Sequence, residues 1–366
     1  AANKERNMKT WMIYGANGYS AKIILNVAFE RGIKPIIAGR NRDQIDQLSS
    51  EHDLDSRIFD LTSFDSVSEK ISDIDILLNC AGPFSSTAEM MISACLHTST
   101  HYIDITGEID VFEYAHSKDN EAKSSNVVIC PGVGFDVIPT DCLAVLLQNE
   151  LPSGTDLSLA FQAVGSKLSP GTLKTAVEGA SKGGWIRKNG ELLSVPLAYA
   201  TREIDFGSGP RNTVSISWGD VSTAYFSTGI PNIQVYFPMS EKGIERLRKR
   251  RKYAKIMKST MIQNFLKHRI EKNIKGQSEE ERKNSKTNIW GELTDPSGQS
   301  VVGRFATGNG YDVTAVGAIE IVSFLNENVV DGGYYSPAML AGTSILEKLP
   351  GYTGIQFEKF KKEEDE

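Results

Sequence analysis

Cysteine and histidine are scarce in this 366-residue chain, with four Cys and five His. Cys80, Cys95, Cys130 and Cys142 are separated by 15, 35 and 12 residues, so no close pair suggests a zinc site. His97, His101 and His116 show no ligand spacing either, and no metal is expected. Thiols used this way suit a reducing, cytoplasmic setting rather than a disulfide scaffold. Long apolar runs are also missing. Glu89 interrupts the stretch 76–96, and Asp136 and Asp141 interrupt 127–147. Neither reaches the ~20 apolar residues that an integral membrane span needs. The start, residues 1–10, is polar and charged and does not read as a secretory leader. Thirteen prolines and 32 glycines exclude a collagen-like or low-complexity chain. Positive charge is in deficit: 40 Lys/Arg against 46 Asp/Glu give a net charge of −6. An acidic surface repels phosphates, so no nucleic-acid partner is expected.

What is present supports a folded, multi-domain protein. The hydrophobic set is 40% and the charged set 23% of residues, enough for a sizeable core. The length suggests two or three domains. Up to residue 130, short apolar runs at 11–14, 35–38, 57–59, 74–78, 102–105 and 127–130 alternate with stretches of helical spacing. Strand and helix repeated in this order imply parallel strands joined by right-handed crossovers. From about residue 153 the candidate strands lengthen and alternate, at 157–164, 213–218, 233–237, 287–293 and 300–307. The last two are joined by the turn signal Asp295-Pro296-Ser297-Gly298. The fold class expected is α/β: a Rossmann-type doubly wound parallel sheet with an inserted α+β domain on a mostly antiparallel sheet. The expected division is 8–150, 151–307 and a C-terminal return at 308–366 that packs on the first domain. A helix is expected over 242–270, a loop over 276–286, and a helix over 313–325.

The strongest motif follows the first strand. Gly15-Ala16-Asn17-Gly18-Tyr19-Ser20-Ala21 has G-x-x-G-x-x-A spacing and leads into a helix. The first glycine permits a tight turn, the second lets backbone approach a diphosphate, and the helix start attracts it. Gly15, Asn17, Gly18, Tyr19 and Ser20 are therefore candidate dinucleotide-binding residues. The second strand ends in Ala38-Gly39-Arg40-Asn41-Arg42, without the carboxylate that would hold a ribose 2′-OH. Arg40 and Arg42 can clamp a 2′-phosphate, which points to NADP. Asp60 ends the third strand, where it caps the adenine or simply forms a turn. Cys80, Ala81, Gly82, Pro83 and Phe84 end the fourth strand and are expected to line the cofactor, with Gly107 beyond the fifth strand on the same edge.

One pattern is a decoy. Asn79-Cys80-Ala81-Gly82 and Tyr114-x-x-x-Lys118 imitate short-chain dehydrogenases. The separation from Gly82 to Tyr114 is too short for that family, and the fifth strand lacks its serine. Tyr114 and Lys118 are read as residues of a surface helix.

Several segments together resemble the saccharopine dehydrogenase-like oxidoreductases, including their bacterial trans-acting enoyl reductase relatives. They include Gly15-Ala16-Asn17-Gly18-Tyr19, Ala81-Gly82-Pro83-Phe84, His101-Tyr102-Ile103-Asp104-Ile105-Thr106-Gly107-Glu108 and Pro131-Gly132-Val133-Gly134-Phe135-Asp136-Val137-Ile138-Pro139-Thr140-Asp141. Ser169-Pro170-Gly171-Thr172, Ser278-Glu279-Glu280-Glu281-Arg282, Trp290-Gly291-Glu292 and Gly308-Asn309-Gly310-Tyr311 continue the match. The resemblance implies a nicotinamide cofactor and an inserted domain that makes substrate and homodimer contacts. Saccharopine-forming enzymes proper carry a G-L-D-P-G-x-D type run, whereas here the aspartates Asp136 and Asp141 are five apart. Arg187, Arg202, Arg211 and Arg304 are the arginines available to a multiply charged substrate.

Three activities are compatible with these features. The preferred one is NADP-dependent hydride transfer to or from a small or lipid-like carbonyl, imine or enoyl substrate. The others are a true saccharopine dehydrogenase and a non-catalytic dinucleotide-binding sensor or scaffold. Asp136 lies among apolar neighbours that raise a carboxyl pKa, so it is a candidate proton carrier, although it also suits a loop-bracing role. Tyr102 and Tyr311 are further candidate proton donors. Thr140 or Asp141 is the expected cap of the following helix. Residues 241–258 carry nine Lys/Arg against two Glu. That segment reads as a solvated face, a partner surface or a docking face for an anionic lipid surface.

Overall fold

The structure is a computed structural model that describes residues 8–167, 169, 173–174, 183–251 and 259–361. The alternating N-terminal half builds β1 (Trp11–Tyr14), α1 (Tyr19–Glu30), β2 (Ile36–Gly39), α2 (Arg42–His52), β3 (Ser56–Ile58), α3 (Phe64–Ile71) and β4 (Ile76–Asn79). It continues with α4 (Ala88–Thr98), β5 (His101–Asp104), α5 (Ile109–Ser117), α6 (Asp119–Ser125), β6 (Val128–Cys130) and α7 (Ile138–Glu150). β1, β4 and β6 are buried on both faces, as strands of a covered parallel sheet must be. With β15 (Gly333–Tyr334) at one margin, the strand order is β15-β6-β5-β4-β1-β2-β3, and every neighbouring pair is parallel.

The second sheet comprises β7 (Asp156–Val164), β8 (Gly184–Lys188), β9 (Glu191–Val195), β10 (Thr201–Asp205), β11 (Pro210–Ile216), β12 (Asn232–Pro238), β13 (Lys286–Thr294), β14 (Ser300–Thr307) and β16 (Gln356–Phe360). Its main path is β10-β11-β12-β7-β13-β14-β16, with β8 and β9 attached beside β12. The β12–β7 pair is parallel and the other pairs are antiparallel, so the sheet is mixed. Its helices are α8 (Asp220–Thr228), α9 (Glu241–Arg250), α10 (Thr260–Asn273) and α11 (Glu279–Lys283), followed by α12 (Gly310–Glu327) and α13 (Pro337–Ala341).

Helix α7 joins the two sheets. Its Leu143 and Leu147 are fully buried, and they press against β13 and β14 at Gly291 and Gly303, where any Cβ would meet a leucine methyl at 2.8–2.9 Å. One continuous apolar core therefore runs from Ile13 and Val128 through Leu143 to Leu159, Ile289 and Val313. Burying each such side chain contributes about 1.5–3 kcal/mol.

Three elements differ from expectation. The helix expected over 242–270 is described as two helices, α9 and α10, with 252–258 (including Met257) outside the described residues. The expected loop 276–286 contains α11, started by a capping box between Ser278 and Glu281. The first sheet gains a seventh strand, β15 (Gly333–Tyr334), beside β6. Of the motif at 169–172, only Ser169 lies among the described residues.

Candidate functional site

Parallel strands end on one rim, and the order reverses between β1 and β4, where open α/β sheets form a ligand crevice. Gly15 leaves β1 with φ +79°, and a Cβ on it would lie 2.8 Å from Ala81 N at the end of β4. Only glycine permits both the turn and that approach. The Gly15 and Ala16 amides donate to Ala38 O at 2.8 and 3.2 Å, holding the loop over β2. No side chain caps α1 and no acid occupies its first turn, whereas Asn41 caps α2 and Ser63 caps α3. Among the described residues the first N–H groups of α1 thus have no side-chain cap. Asn17 Nδ2 donates to Gln44 Oε1 at 2.5 Å, tying this loop to the start of α2.

Arg40 and Arg42 flank Asn41 at the end of β2, both exposed. Among the described residues neither guanidinium has an ion-pair partner. Arg40 acts electrostatically on Tyr14, as does Asp60, which sets all three at neighbouring strand ends. Burial pushes the Tyr14 hydroxyl up to about 12. Asp60 accepts from the Thr62 amide at 3.0 Å and from the Thr62 hydroxyl, which lowers its pKa, so it forms a turn at this rim.

The loop after β4 is braced from beneath. Asn79 is fully buried, accepts from Ala81 N at 3.0 Å and donates to Thr87 Oγ1 at 3.0 Å, while Thr87 donates to Ala81 O at 2.7 Å. Cys80 is half-buried with its thiol pushed up by burial, Gly82 is exposed, the Gly82-Pro83 bond is cis, and Phe84 is buried. Glu108 accepts from the amides of Phe84 and Ser85 at 2.8 and 3.0 Å, locking this loop to the one after β5. Sequence reading assigned Glu108 no role beyond the resemblance, because nothing local shows which distant amides it caps.

Tyr102 requires a correction. It is fully buried, and its hydroxyl donates to Asp104 Oδ2 at 2.7 Å and accepts from Asn79 at 3.3 Å. Burial holds that hydroxyl well above its ordinary range, and its bonds to the last residues of β4 and β5 make it a brace between the loops that follow them. Asp104 also accepts from Thr106 N and Gly132 N at 3.0 and 2.9 Å, and burial pushes it up to about 6.

Asp136 follows β6 and lies against Gly107, where a Cβ would stand 2.8 Å from Asp136 Oδ2. This close approach explains a glycine at 107 better than chain flexibility does. Burial pushes the Asp136 carboxyl up to about 7. A second carboxyl, Asp220 at the start of α8, is fully buried and lies near enough to act electrostatically on Asp136 and Asp141. Thr140 Oγ1 lies 2.8 Å from Asp220 Oδ2 and 3.2 Å from Val137 O, while Asp220 Oδ1 has no partner among the described residues. Thr140 has one proton to give. It donates to Asp220 Oδ2, with Val137 O as the alternative acceptor. Burial, with Asp141 and Asp136 nearby, holds the Asp220 carboxyl well above its ordinary range. Asp141 is structural: it accepts from Ser227 Oγ at 2.7 Å and from Ala338 N at 2.9 Å, pinning α7 to α8 and α13.

Phe135 opens an aromatic wall beside Asp136. It meets Phe161 edge-on at 5.4 Å, and Phe161 packs on Trp218 at 4.5 Å and Phe237 at 5.3 Å. Trp218 Nε1 is buried without a hydrogen-bond partner among the described residues. Tyr311 sits elsewhere, beside the first loop: its ring stands edge-on to Tyr19 at 5.1 Å, and its hydroxyl accepts from Ser169 N. Tyr19 donates to Gln277 O at 2.7 Å and receives a contact from Arg282 at 3.4 Å. Arg282 in turn pairs with Asp312 at 2.7 Å.

The candidate substrate arginines do not converge. Arg187 is buried against Glu113 at 2.6 Å, Arg202 pairs with Glu292 at 3.2 Å, and Arg304 pairs with Glu358 at 3.1 Å. Arg211 lines an open surface groove with Glu203 and Gln162. Lys118 of the decoy pairs with Glu121 at 2.8 Å on the surface. All four cysteines are free thiols. Among the described residues there is no His/Cys/Asp/Glu group that could hold a metal, and no helix is long and apolar enough to cross a membrane.

The protein is of the α/β class, and residues 11–130 match the family model described as the saccharopine dehydrogenase NADP binding domain. The chain is similar to the mouse saccharopine dehydrogenase-like oxidoreductase, 26% identical over 202 residues that cover 48% of this chain and 47% of the relative. It is also similar to the trans-acting enoyl reductase of Mycobacterium leprae, 23% identical over 140 residues covering 36% of this chain and 33% of that one. The match thus spans about half the length of the mouse relative or less. In fold the chain resembles apo saccharopine dehydrogenase (L-Glu forming) from Saccharomyces cerevisiae, with TM-score 0.64 and 11% identity over 96% of this chain and 100% of that one.

Proposed function

We propose that this chain is an NADP-dependent oxidoreductase acting on an apolar or lipid-like carbonyl, imine or enoyl substrate. The observation that carries the reading is the β1–α1 junction where the strand order reverses: an uncapped, acid-free helix start beside two guanidinium groups that have no ion-pair partner among the described residues. The residues present fit a dinucleotide with a 2′-phosphate. Gly15 and Gly18 give backbone access to the diphosphate, and Arg40 and Arg42 supply planar donors for the extra phosphate. Ala81, Gly82, Pro83 and Phe84, with Gly107, line the rim towards Asp136. When bound, the nicotinamide supplies the hydride chemistry. The protein orients the acceptor and handles one proton. Asp136, with a pKa near 7, can hold or release that proton at neutral pH. The wall of Phe135, Phe161, Trp218 and Phe237 favours an apolar acceptor, and the dispersed, acid-paired arginines disfavour a substrate with three carboxylates.

Calorimetric titration of the wild type and of Arg40→Ser/Arg42→Ser with NADPH and NADH tests the cofactor assignment. NADPH is expected to bind tighter, and the double variant to lose about tenfold or more for NADPH only. Equal or tighter NADH binding to the wild type overturns it. For the substrate, NADPH oxidation is expected with apolar enoyl or carbonyl compounds. Turnover confined to tricarboxylate amino acids overturns the apolar reading, and tight NADPH binding with no turnover on either panel favours a sensor or scaffold.

A further inference from the structure

Positive charge in this acidic protein is concentrated in one stretch. Residues 241–275 hold thirteen Lys/Arg against three Glu, net +10, so the rest of the chain carries −16. Two described helices belong to this stretch. On α9, Arg248 and Arg251, just past its end, donate to the carbonyls of Ala198 and Leu197, which fixes the helix to the body while Lys249 and Arg250 remain exposed.

Helix α10 shows an unusual face. Ile262, Leu266 and Ile270 are half-buried and form its inner side. The outer side carries Met261, Asn264, Phe265, His268, Arg269 and Lys272, all exposed. Met261 is 81% and Phe265 60% exposed, one helical turn apart. Arg269, one turn further on, reaches back over the Phe265 ring at 6.0 Å. Two large apolar side chains followed on the same face by cations is the arrangement of a helix lying in a lipid interface: the apolar pair enters the acyl boundary and the cations meet phosphate headgroups. A purely solvated helix has no use for an exposed Met and Phe at this spacing.

We propose that the outer face of α10, reinforced by the basic residues of α9, docks the protein on an anionic phospholipid bilayer. Charge complementarity selects this occupant. The stretch attracts a negatively charged surface, while the −16 of the remaining chain repels an elongated polyanion that would have to track across the molecule. This inference does not depend on the cofactor assignment.

Vesicle co-sedimentation of the full chain tests it, using phosphatidylcholine vesicles with and without about one-third phosphatidylserine. Binding is expected only with phosphatidylserine, and it should weaken steeply between 0.05 and 0.5 M salt, on the order of the concentrations at which screening sets in. Met261→Ser/Phe265→Ser is expected to reduce binding about tenfold or more, and Arg269→Glu/Lys272→Glu by about fivefold per charge removed. These side chains are exposed, so circular dichroism should show both variants folded as the wild type. No binding to the anionic vesicles overturns the proposal, as does equal binding by the Met261→Ser/Phe265→Ser variant. Tight binding to RNA without vesicle binding overturns it in favour of a nucleic-acid surface. Conversion of a dimer to a monomer by the same variant, without vesicle binding, overturns it in favour of a second copy of this chain.

Discussion

Gly15 concentrates several demands on one atom. Its φ of +79° and its approach to Ala81 both exclude a side chain. Gly15→Ala is therefore expected to push the β4 loop away and to weaken NADPH binding by about tenfold or more in calorimetry, while the sheet itself survives. Asp136 gives a second prediction, in pH. Its folded carboxyl titrates near 7 against an ordinary value of 3.8, so the folded state keeps a proton that the unfolded chain has released. Its contribution to stability is fully favourable below about pH 4, declines as pH rises towards 7, and is level above that. Asp136→Asn should remove this decline. Chemical denaturation of both proteins between pH 4 and 8 should show the difference in stability growing in favour of the variant by about 1–2 kcal/mol. A constant difference across that range refutes the assignment. NADPH turnover by the same variant should lose its dependence on a group near pH 7.

Among the elements, α11 has an influence out of proportion to its five residues. Its capping box holds segment 277–282 in place, and that segment brings Gln277 and Arg282 to Tyr19 beside the first loop. Ser278→Ala is expected to cost about 1 kcal/mol of stability by denaturant titration and also to loosen NADPH binding. A stability loss without any change in NADPH affinity would separate α11 from the crevice. The same element shows what the sequence conceals. The strands β1, β4 and β6 and the turn at Gly15 were legible because burial on both faces leaves continuous apolar runs and the turn demands glycine. Helix α11 was not legible: Ser278-x-x-Glu281 is a capping signal, but no apolar run follows it. Strand β9 escaped notice because it is exposed along most of its length and has no buried face to impose alternation. Asp220 escaped because its link to Asp136 and Thr140 crosses about 80 residues of sequence. Tyr102 was read as a proton donor because the sequence does not show that Asp104, two residues on, takes its hydroxyl proton.

The whole molecule behaves as one packing unit because α7 is shared. Asp141, on this helix, holds α8 through Ser227 and α13 through the Ala338 amide. Asp141→Ala should leave those buried donors unmet and cost about 2–4 kcal/mol, read as a lowered Tm with a single transition. NADPH at a hundred times its Kd should raise that same transition by the equivalent of about 2.7 kcal/mol, although its proposed site borders the first sheet alone. Two separate transitions, with only one responding to NADPH, would show that α7 does not couple the sheets.

The route of the chain after residue 330 has a consequence for biosynthesis. β15 borders β6 at one margin of the parallel sheet, and β16, little more than twenty residues later, borders β14 at one margin of the mixed sheet. A nascent polypeptide halted before these strands emerge leaves an open hydrogen-bonding margin on each sheet at once, the form in which β proteins recruit other chains. Completion does not abolish the two margins, because β15 and β16 are themselves the terminal strands, but at two and five residues each leaves little ladder for another chain to extend.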